Sequence, residues 1–296
     1  MAKVESERNV WTNVGFYFGI AVFIVLTLFP LYWVFRMSAV SATELFRPPS
    51  LDSIFTIPFD LAGKCSVFGL SFTCPTSYQT VLGDKLYVNG LLNSVVIASI
   101  TTIICLTVGS MAAYALARID FFAKKPVLST VLAISFFPAV AIIAPLFLQF
   151  QNFGIINTYW SAIIPDVLFA LPLTVYLLVA YFRELPADLE EAAKVDGAST
   201  WQAFVRVTVP LSAPGVITTG LLTFIYAWNE FLFANTFLLE PKVQPATVII
   251  PQFASIYTTD YGAQAAAALI MTLPLVVLVL FFQRRIVSGL TAGAGK

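Results

Sequence analysis

Apolar residues in this chain neither alternate nor keep to one helical face. They come in nearly unbroken runs of about twenty residues, separated by shorter polar stretches. A run of about 20 apolar residues is what an α-helix needs to cross the hydrocarbon core of a bilayer. Six runs qualify: residues 14–34, 91–117, 127–148, 160–182, 216–238 and 264–282. The second is rich in small residues, and Pro138 and Pro145 break the third. Proline is tolerated in such helices because neighbouring helices and side chains re-satisfy the freed backbone groups. The pattern predicts an all-α membrane protein with six transmembrane helices. Its transmembrane domain covers residues 14–288, between a short N-terminus (1–13) and a C-terminal tail (289–296). No strong internal repeat points to the inverted halves of secondary transporters.

Composition agrees. Of 296 residues, 59% are hydrophobic and 11% charged, where a soluble domain carries about 25% charged residues. A soluble fold would have to hide several apolar helices of this length in one core. The net charge of zero leaves no basic field for nucleic acid, and lipid is the expected surroundings. Histidine is absent, which excludes histidine-based triads and most zinc sites. No metal site is expected. Placing the N-terminus inside puts 11 of the 16 lysines and arginines in the cytoplasm, leaving Arg36, Arg47, Lys64, Lys85 and Lys242 outside. The positive-inside rule then favours an N-in, C-in topology. The first span is too long, and lacks the A-x-A site, for a cleaved signal peptide; it reads as a retained anchor.

Two polar regions remain. The external loop, residues 35–90, contains Pro48, Pro49, Pro58 and Pro75 with aromatics such as Phe55, Phe59, Phe68, Phe72 and Tyr78. It reads either as a packed cap on the bundle or as a landing surface for an extracytoplasmic partner. Cys65 and Cys74 lie in this loop. A disulfide in an oxidising exterior and two unrelated thiols are equally compatible with the sequence. Cys105 lies inside an apolar run and reads as packed there.

The cytoplasmic loop, residues 183–215, has the look of a soluble helical hairpin. Pro186 suits a first helical turn, and Asp188, Glu190 and Glu191 complement the dipole at that end. Ala192 and Ala193 favour helix, and Asp196-Gly197 ends it with a residue suited to a left-handed C′ position. Ser199 and Gln202 have capping-box spacing for a second helix. Trp201, Phe204 and Val207 recur every three residues, which places them on one face, and Pro210 and Pro214 end that helix. A mere joint between spans needs only a few residues. The smooth turn and the aromatic anchors, of a kind enriched at interface hot spots, fit a surface presented to a cytoplasmic partner better.

This hairpin resembles the EAA loop of the membrane subunits of ATP-binding-cassette (ABC) importers. Glu191-Ala192-Ala193 leads through three residues to Gly197, and nine more reach Val207, with Val209-Pro210 closing the pattern. The two valines stand where the family more often has Ile and Leu. Ala112–Phe121 (AAYALARIDF), Phe136–Val140 (FFPAV), Trp228–Phe231 (WNEF) and Gln283–Lys296 (QRRIVSGLTAGAGK) resemble carbohydrate importers of the maltose and trehalose type. The resemblance runs from about Phe16 to the C-terminus and is weakest in the external loop. It implies the importer permease fold and a non-catalytic role as translocation subunit of a sugar importer. It also implies a second permease subunit, two ATPase subunits that bind ATP and Mg, and an extracytoplasmic solute-binding protein. The permease itself binds no cofactor. GAGK (Gly293–Lys296) lacks the Ser/Thr and the helix of a P-loop. The resemblance assigns Glu191, Ala192, Ala193, Asp196 and Gly197 to the turn that docks on the ATPase. Trp201, Gln202, Phe204 and Pro210 support that turn. Gly289, Thr291 and Gly293 belong to a tail that enters the seam between the ATPases, where glycine allows close backbone approach. By composition alone the tail reads equally as disordered.

Two acids lie within spans, and each costs about 3 kcal/mol if it faces lipid. Asp166 is about 9 Å deep from the outer side and Glu230 about 12 Å deep. With Trp228 and Asn229 they compose a candidate sugar pathway of acceptors and a flat apolar ring. The alternative is that Asn229 and Glu230 bond to neighbouring helices and hold the bundle together. An importer of another solute, such as an oligopeptide or polyamine, is the rival function in the same class. An ion-coupled carrier or intramembrane enzyme is the rival outside it.

Overall fold

The structure, a computed structural model, describes residues 10–46, 57–67, 70–253 and 260–292. Of the residues the sequence singles out, Arg47, Pro48, Pro49, Phe55, Phe68, Gly293 and Lys296 lie outside these segments. The chain divides into two compact units, Met1–Gly83 with Phe253–Ile270, and Asp84–Gln252 with Met271–Lys296.

In the first unit, helix α1 (Val10–Ala39) exposes its apolar side chains from Phe16 to Leu31. A helix apolar all round keeps this form where lipid replaces water. Past its last turn the chain makes a cap. Strands β1 (Gly63–Val67) and β2 (Leu70–Cys74) pair antiparallel, with Cys65 opposite Phe72. Cys65 and Cys74 are joined by a disulfide, with Cα atoms 5.8 Å apart. Helix α2 (Thr76–Gly83) follows and buries Val81. Thr76 Oγ1 donates to Asp60 Oδ2 at 2.8 Å, Asp60 N to Ala39 O at 2.9 Å, and the Ser38 and Tyr78 hydroxyls lie 2.9 Å apart. The described part of the external loop is therefore packed and cross-linked.

The second unit is built on α3 (Lys85–Arg118), started by Asp84, whose side chain accepts from Leu86 N at 2.8 Å. The buried side of α3 is made of small residues at steps of three or four: Gly90, Ser94, Ala98, Thr101, Cys105 and Gly109 among them. Small residues let helices approach closely where no hydrophobic effect drives them together. A Cβ on Gly109 would lie 3.0 Å from Thr174 Cγ2 on α6. Helices α4 (Lys124–Ile134), α5 (Ala139–Asn152) and α6 (Tyr159–Glu184) follow. Next come α7 (Asp188–Val195), α8 (Thr200–Leu211) and α9 (Ala213–Trp228). Helices α10 (Leu232–Phe237), α11 (Ala246–Ile249) and α12 (Tyr261–Ala292) complete the chain. The chief packing is of α3 on α6 and α9.

Among the described residues, α1, α3, α6 and α12 are each long and apolar enough to span a membrane, and two bent pairs raise the number to six. The expected third span is one such pair: α4 and α5 meet at 85°. The break is at Pro138, which has no N–H and disfavours helix in the residue before it. Pro145 lies inside α5 without breaking it. The expected fifth span, 216–238, is not a single helix. It stops at Trp228 and resumes at Leu232. At its other end, Thr200–Leu211 meets α9 at 79°. Pro210 is inside α8, and Pro214 opens α9 rather than closing the hairpin. The tail also differs from expectation. Gly289 and Thr291 are part of α12, which runs to Ala292; one glycine costs a helix only about 1 kcal/mol and no proline stops it.

Candidate functional site

The hairpin between α6 and α9 is built as its caps dictate, with differences at the ends. Helix α7 begins at Asp188, so Pro186 precedes it instead of occupying its first turn. Its C-terminus is a Schellman turn. Ala198 N donates to Ala193 O at 2.9 Å and Gly197 N to Lys194 O at 3.0 Å. Gly197 has φ +92°, the left-handed region that favours glycine. The Ser199–Gln202 capping box is formed in both directions, Gln202 N to Ser199 Oγ at 3.2 Å and Ser199 N to Gln202 Oε1 at 2.9 Å.

Within α8, Phe204–Thr208 is a π-turn, a feature found often at functional sites. The three residues expected on one face do not share one environment. Phe204 is buried, Val207 half-buried and Trp201 exposed. Phe204 packs on Tyr114 with ring centroids 4.8 Å apart and edge-on to Phe182 at 6.3 Å. It is an anchor to the chain's own bundle. Trp201, 5.4 Å from Phe204, is an aromatic left open. Glu191, Ala192, Val195, Asp196, Gly197 and Gln202 are also exposed, while Ala193 is half-buried.

The sequence reading placed Glu190 only as a charge at the start of α7. The structure buries it. Its Oε1 accepts from Arg118 Nε at 2.8 Å and from Thr208 Oγ1 at 2.9 Å, and its Oε2 accepts from Tyr114 Oη at 3.0 Å. Arg118 Nη2 also donates to Leu185 O at 2.8 Å. Arg118, Tyr114 and Thr208 had no role in the sequence reading. The available signal was the spacing of Glu190 and Glu191, adjacent residues that must point to different sides of a helix.

The four residues of the candidate pathway differ in burial and in partners. Trp228 is buried, stacks on Phe224 at 5.6 Å and donates from Nε1 to Met271 O at 3.3 Å. The cavity it lines, about 630 Å³, is walled mainly by apolar side chains such as Val95, Leu106 and Phe224, with Ser99 and Thr102 among them. That lining suits an acyl chain better than a polyol. Asn229 turns back to its own helix, Nδ2 to Ile225 O at 2.7 Å. Glu230 caps α10, accepting from Phe233 N at 2.7 Å and Ala234 N at 3.0 Å. A carboxylate at a helix start satisfies free N–H groups and meets the positive end of the dipole. Asn229 and Glu230 thus mark the break in the expected fifth span. Asp166 is fully buried, within electrostatic reach of Glu230, and neither of its oxygens has a hydrogen-bond partner.

A cavity of about 310 Å³ sets Phe136, Phe169 and Tyr226 with Ser135, Thr174 and Thr223 among aliphatic side chains such as Leu132, Leu173 and Leu222. Aromatic faces and hydroxyls meet there. Phe136 lies in the FFPAV stretch, but the sequence reading assigned none of these residues to the path.

A mostly helical fold of apolar spans, all-α as expected except for the β1–β2 pair in its cap, and carrying a structured polar helical hairpin, defines a membrane component that works through a partner. Residues 105–291 match the family described as binding-protein-dependent transport system inner membrane component. The chain is 39% identical to the trehalose transport system permease protein SugB of Mycobacterium tuberculosis, over 91% of this chain and 92% of that one. It is 35% identical to the trehalose/maltose transport system permease protein MalG of Thermococcus litoralis, over 94% and 95%. A bacterial ABC transporter that imports the acidic polysaccharide alginate has a chain of the same fold. Its TM-score is 0.73 at 20% identity, covering 96% of this chain and 99% of that one. The chain belongs to the family of ABC-importer permeases, multi-pass proteins of the cytoplasmic membrane that translocate solute and are not themselves catalytic.

Proposed function

We propose that this chain is the translocation subunit of an ATP-driven, binding-protein-dependent importer of sugars, in particular di- or oligosaccharides, in a bacterial or archaeal cytoplasmic membrane. The observation that carries the reading is the two-sided hairpin. Its inner side, Glu190, Phe204 and Thr208, is tied to the bundle, and its outer side, from Glu191 to Gly197 with Trp201, is open. An open face with a buried anchor is what a transmission contact needs. In this reading the outer side docks on an ATPase subunit, and two such subunits bind the ATP and Mg. A second permease subunit and an extracytoplasmic solute-binding protein complete the transporter. ATPase closure then drives the bundle between inward- and outward-facing states.

The N-in, C-in topology is supported by 11 cytoplasmic basic residues among 16. In that topology the cap with its Cys65–Cys74 disulfide faces the exterior, the compartment where disulfides persist. A sugar solute is supported by the trehalose and maltose transported by the relatives and by the aromatic and hydroxyl lining around Tyr226. The test is to purify the chain with its co-expressed partners and measure ATP hydrolysis stimulated by the binding protein. Trehalose, maltose and other oligosaccharides are compared with peptides and polyamines. Stimulation by a sugar is expected. Stimulation by a peptide or polyamine alone would overturn the sugar assignment, and transport without any ATPase would overturn the class.

A further inference from the structure

We infer that the Glu190 cluster is the joint that makes the hairpin and α3 move as one body. This rests on the coupling role proposed for the hairpin and adds which span receives the motion.

By chain connectivity the hairpin is continuous with α6 and α9 only. Arg118 and Glu190 are 72 residues apart in sequence, yet the strongest polar contact of the hairpin is to α3. Three donors from two elements converge on one carboxylate: Tyr114 and Arg118 from the last turns of α3, and Thr208 from the π-turn of α8. The side chains of Glu190 and Arg118 are 6% and 15% exposed, so solvent offers little competition for these bonds. Charge-assisted bonds are shorter and stronger than neutral ones. Arg118 reaches a second point of the hairpin through Leu185 O. Tyr114 adds an apolar contact with Phe204 beside the polar one. A hairpin held at Leu185, Glu190, Phe204 and Thr208 cannot pivot on its two covalent ends without breaking this cluster. Helix α3 in turn packs along α6 and α9, so a push on the outer side of α7 is delivered to three spans together. Glu191, one residue on, is exposed and carries none of these contacts. Glu190 is thus a positioning residue that acts through α3 and touches neither nucleotide nor solute.

The test uses the complete transporter, reconstituted with its ATPase subunits, and spin labels at Leu189→Cys on α7 and Met111→Cys on α3. Both sites are exposed, and the native cysteines are bonded or buried. A second pair joins Leu189→Cys to Val140→Cys, exposed in the first turn of α5. Distances are measured by electron–electron double resonance without nucleotide and after trapping with ATP and vanadate. In the unaltered background the 189–111 distance should stay the same in both states while the 189–140 distance shifts. Glu190→Gln and the milder Tyr114→Phe should split or broaden the 189–111 distribution on trapping, with the ATPases still bound. A 189–111 distance that shifts with nucleotide in the unaltered background would overturn the joint. So would variants that lose yield or thermal stability while the 189–111 distance stays fixed, the behaviour of a merely structural cluster. If neither pair responds to nucleotide in the unaltered protein, the coupling role of the hairpin itself fails, and the joint with it.

Discussion

Replacing Gly197 by alanine isolates one property of the docking turn. Gly197 has φ +92°, and an added Cβ would meet nothing within 4 Å. The methyl group therefore clashes with no neighbour, and its effect is conformational. Holding an L residue in left-handed backbone costs about 1–2 kcal/mol. Two hydrogen bonds depend on that backbone, Gly197 N to Lys194 O and Ala198 N to Ala193 O, at 3.0 and 2.9 Å. The turn is exposed, so it can escape the strain by fraying and must be re-formed when a partner docks. The same about 1–2 kcal/mol then appears in the affinity for the ATPase subunit, a loss of roughly 5- to 30-fold. Because the turn buries nothing, the unfolding midpoint of the isolated permease should barely move.

The assay titrates purified ATPase subunit against the permease in nanodiscs, with a parallel thermal melt. Gly197→Asn should fall between glycine and alanine, because asparagine tolerates this backbone region better than most residues. Gly197→Asp adds charge beside Asp196 and should be weaker than Gly197→Asn at low salt, the gap closing as salt screens it. Wild-type affinity for Gly197→Ala would refute a docking role for the left-handed turn. A fall in the melting midpoint as large as the fall in affinity would show instead that the turn holds the hairpin together.

The same logic separates the two aromatics. Trp201→Ala should weaken ATPase binding and leave permease stability within about 0.5 kcal/mol, whereas Phe204→Ala should cost about 3–5 kcal/mol of stability, both read from melts and ATPase titrations. Asp166→Leu replaces a buried carboxyl group without hydrogen-bond partners by an apolar side chain and should raise the melting midpoint by the equivalent of about 1–3 kcal/mol; a lowered midpoint would reveal an interaction that the structure lacks. Tyr226→Ala should reduce uptake of the stimulating sugar at least several-fold while ATPase co-purification stays unchanged, and an unaltered half-saturation constant and rate would exclude the 310 Å³ cavity from the solute path.

What could be read in the sequence was what short-range rules control. Span positions follow from apolar length. The hairpin follows from caps whose partners lie within five residues: Ser199 with Gln202, and Gly197 and Ala198 with the end of α7. The bends follow less well, because a hydropathy run does not register an 85° break and only Pro138 announced one. The Glu190 cluster needed α3 and α7 to be placed side by side, which no local pattern encodes. The three-residue spacing put Trp201 on one face with Phe204 and Val207, yet Trp201 is exposed where Phe204 is buried and Val207 half-buried. Polar anchors other than Glu190 also rest on contacts between elements distant in sequence. Asn157, with φ +62°, accepts from Leu239 N at 2.6 Å and Glu240 N at 2.9 Å, and Asn93 donates to Lys242 O and Gln244 O. No local pattern singles out either asparagine.

The two intramembrane acids show why depth alone is a poor guide to role. Read as a pair at similar depth, Asp166 and Glu230 were candidates for one polar cavity. Glu230 follows the last turn of α9, where the chain breaks, and the N–H groups of Phe233 and Ala234 come within reach. Its charge has local work, and replacing it should disturb α10 before it disturbs any solute. Asp166 lies inside α6, beyond its first turn, where the helix's own N–H groups are already used. Its oxygens accept from nothing in this conformation. A buried polar group left unpaired costs about 1–3 kcal/mol, a cost that Asp166 bears in this conformation and Glu230 avoids. The alternative offered for Asn229 and Glu230, bonding to neighbouring helices, therefore fits Glu230, which caps the start of α10, and not Asn229, which bonds back to its own helix.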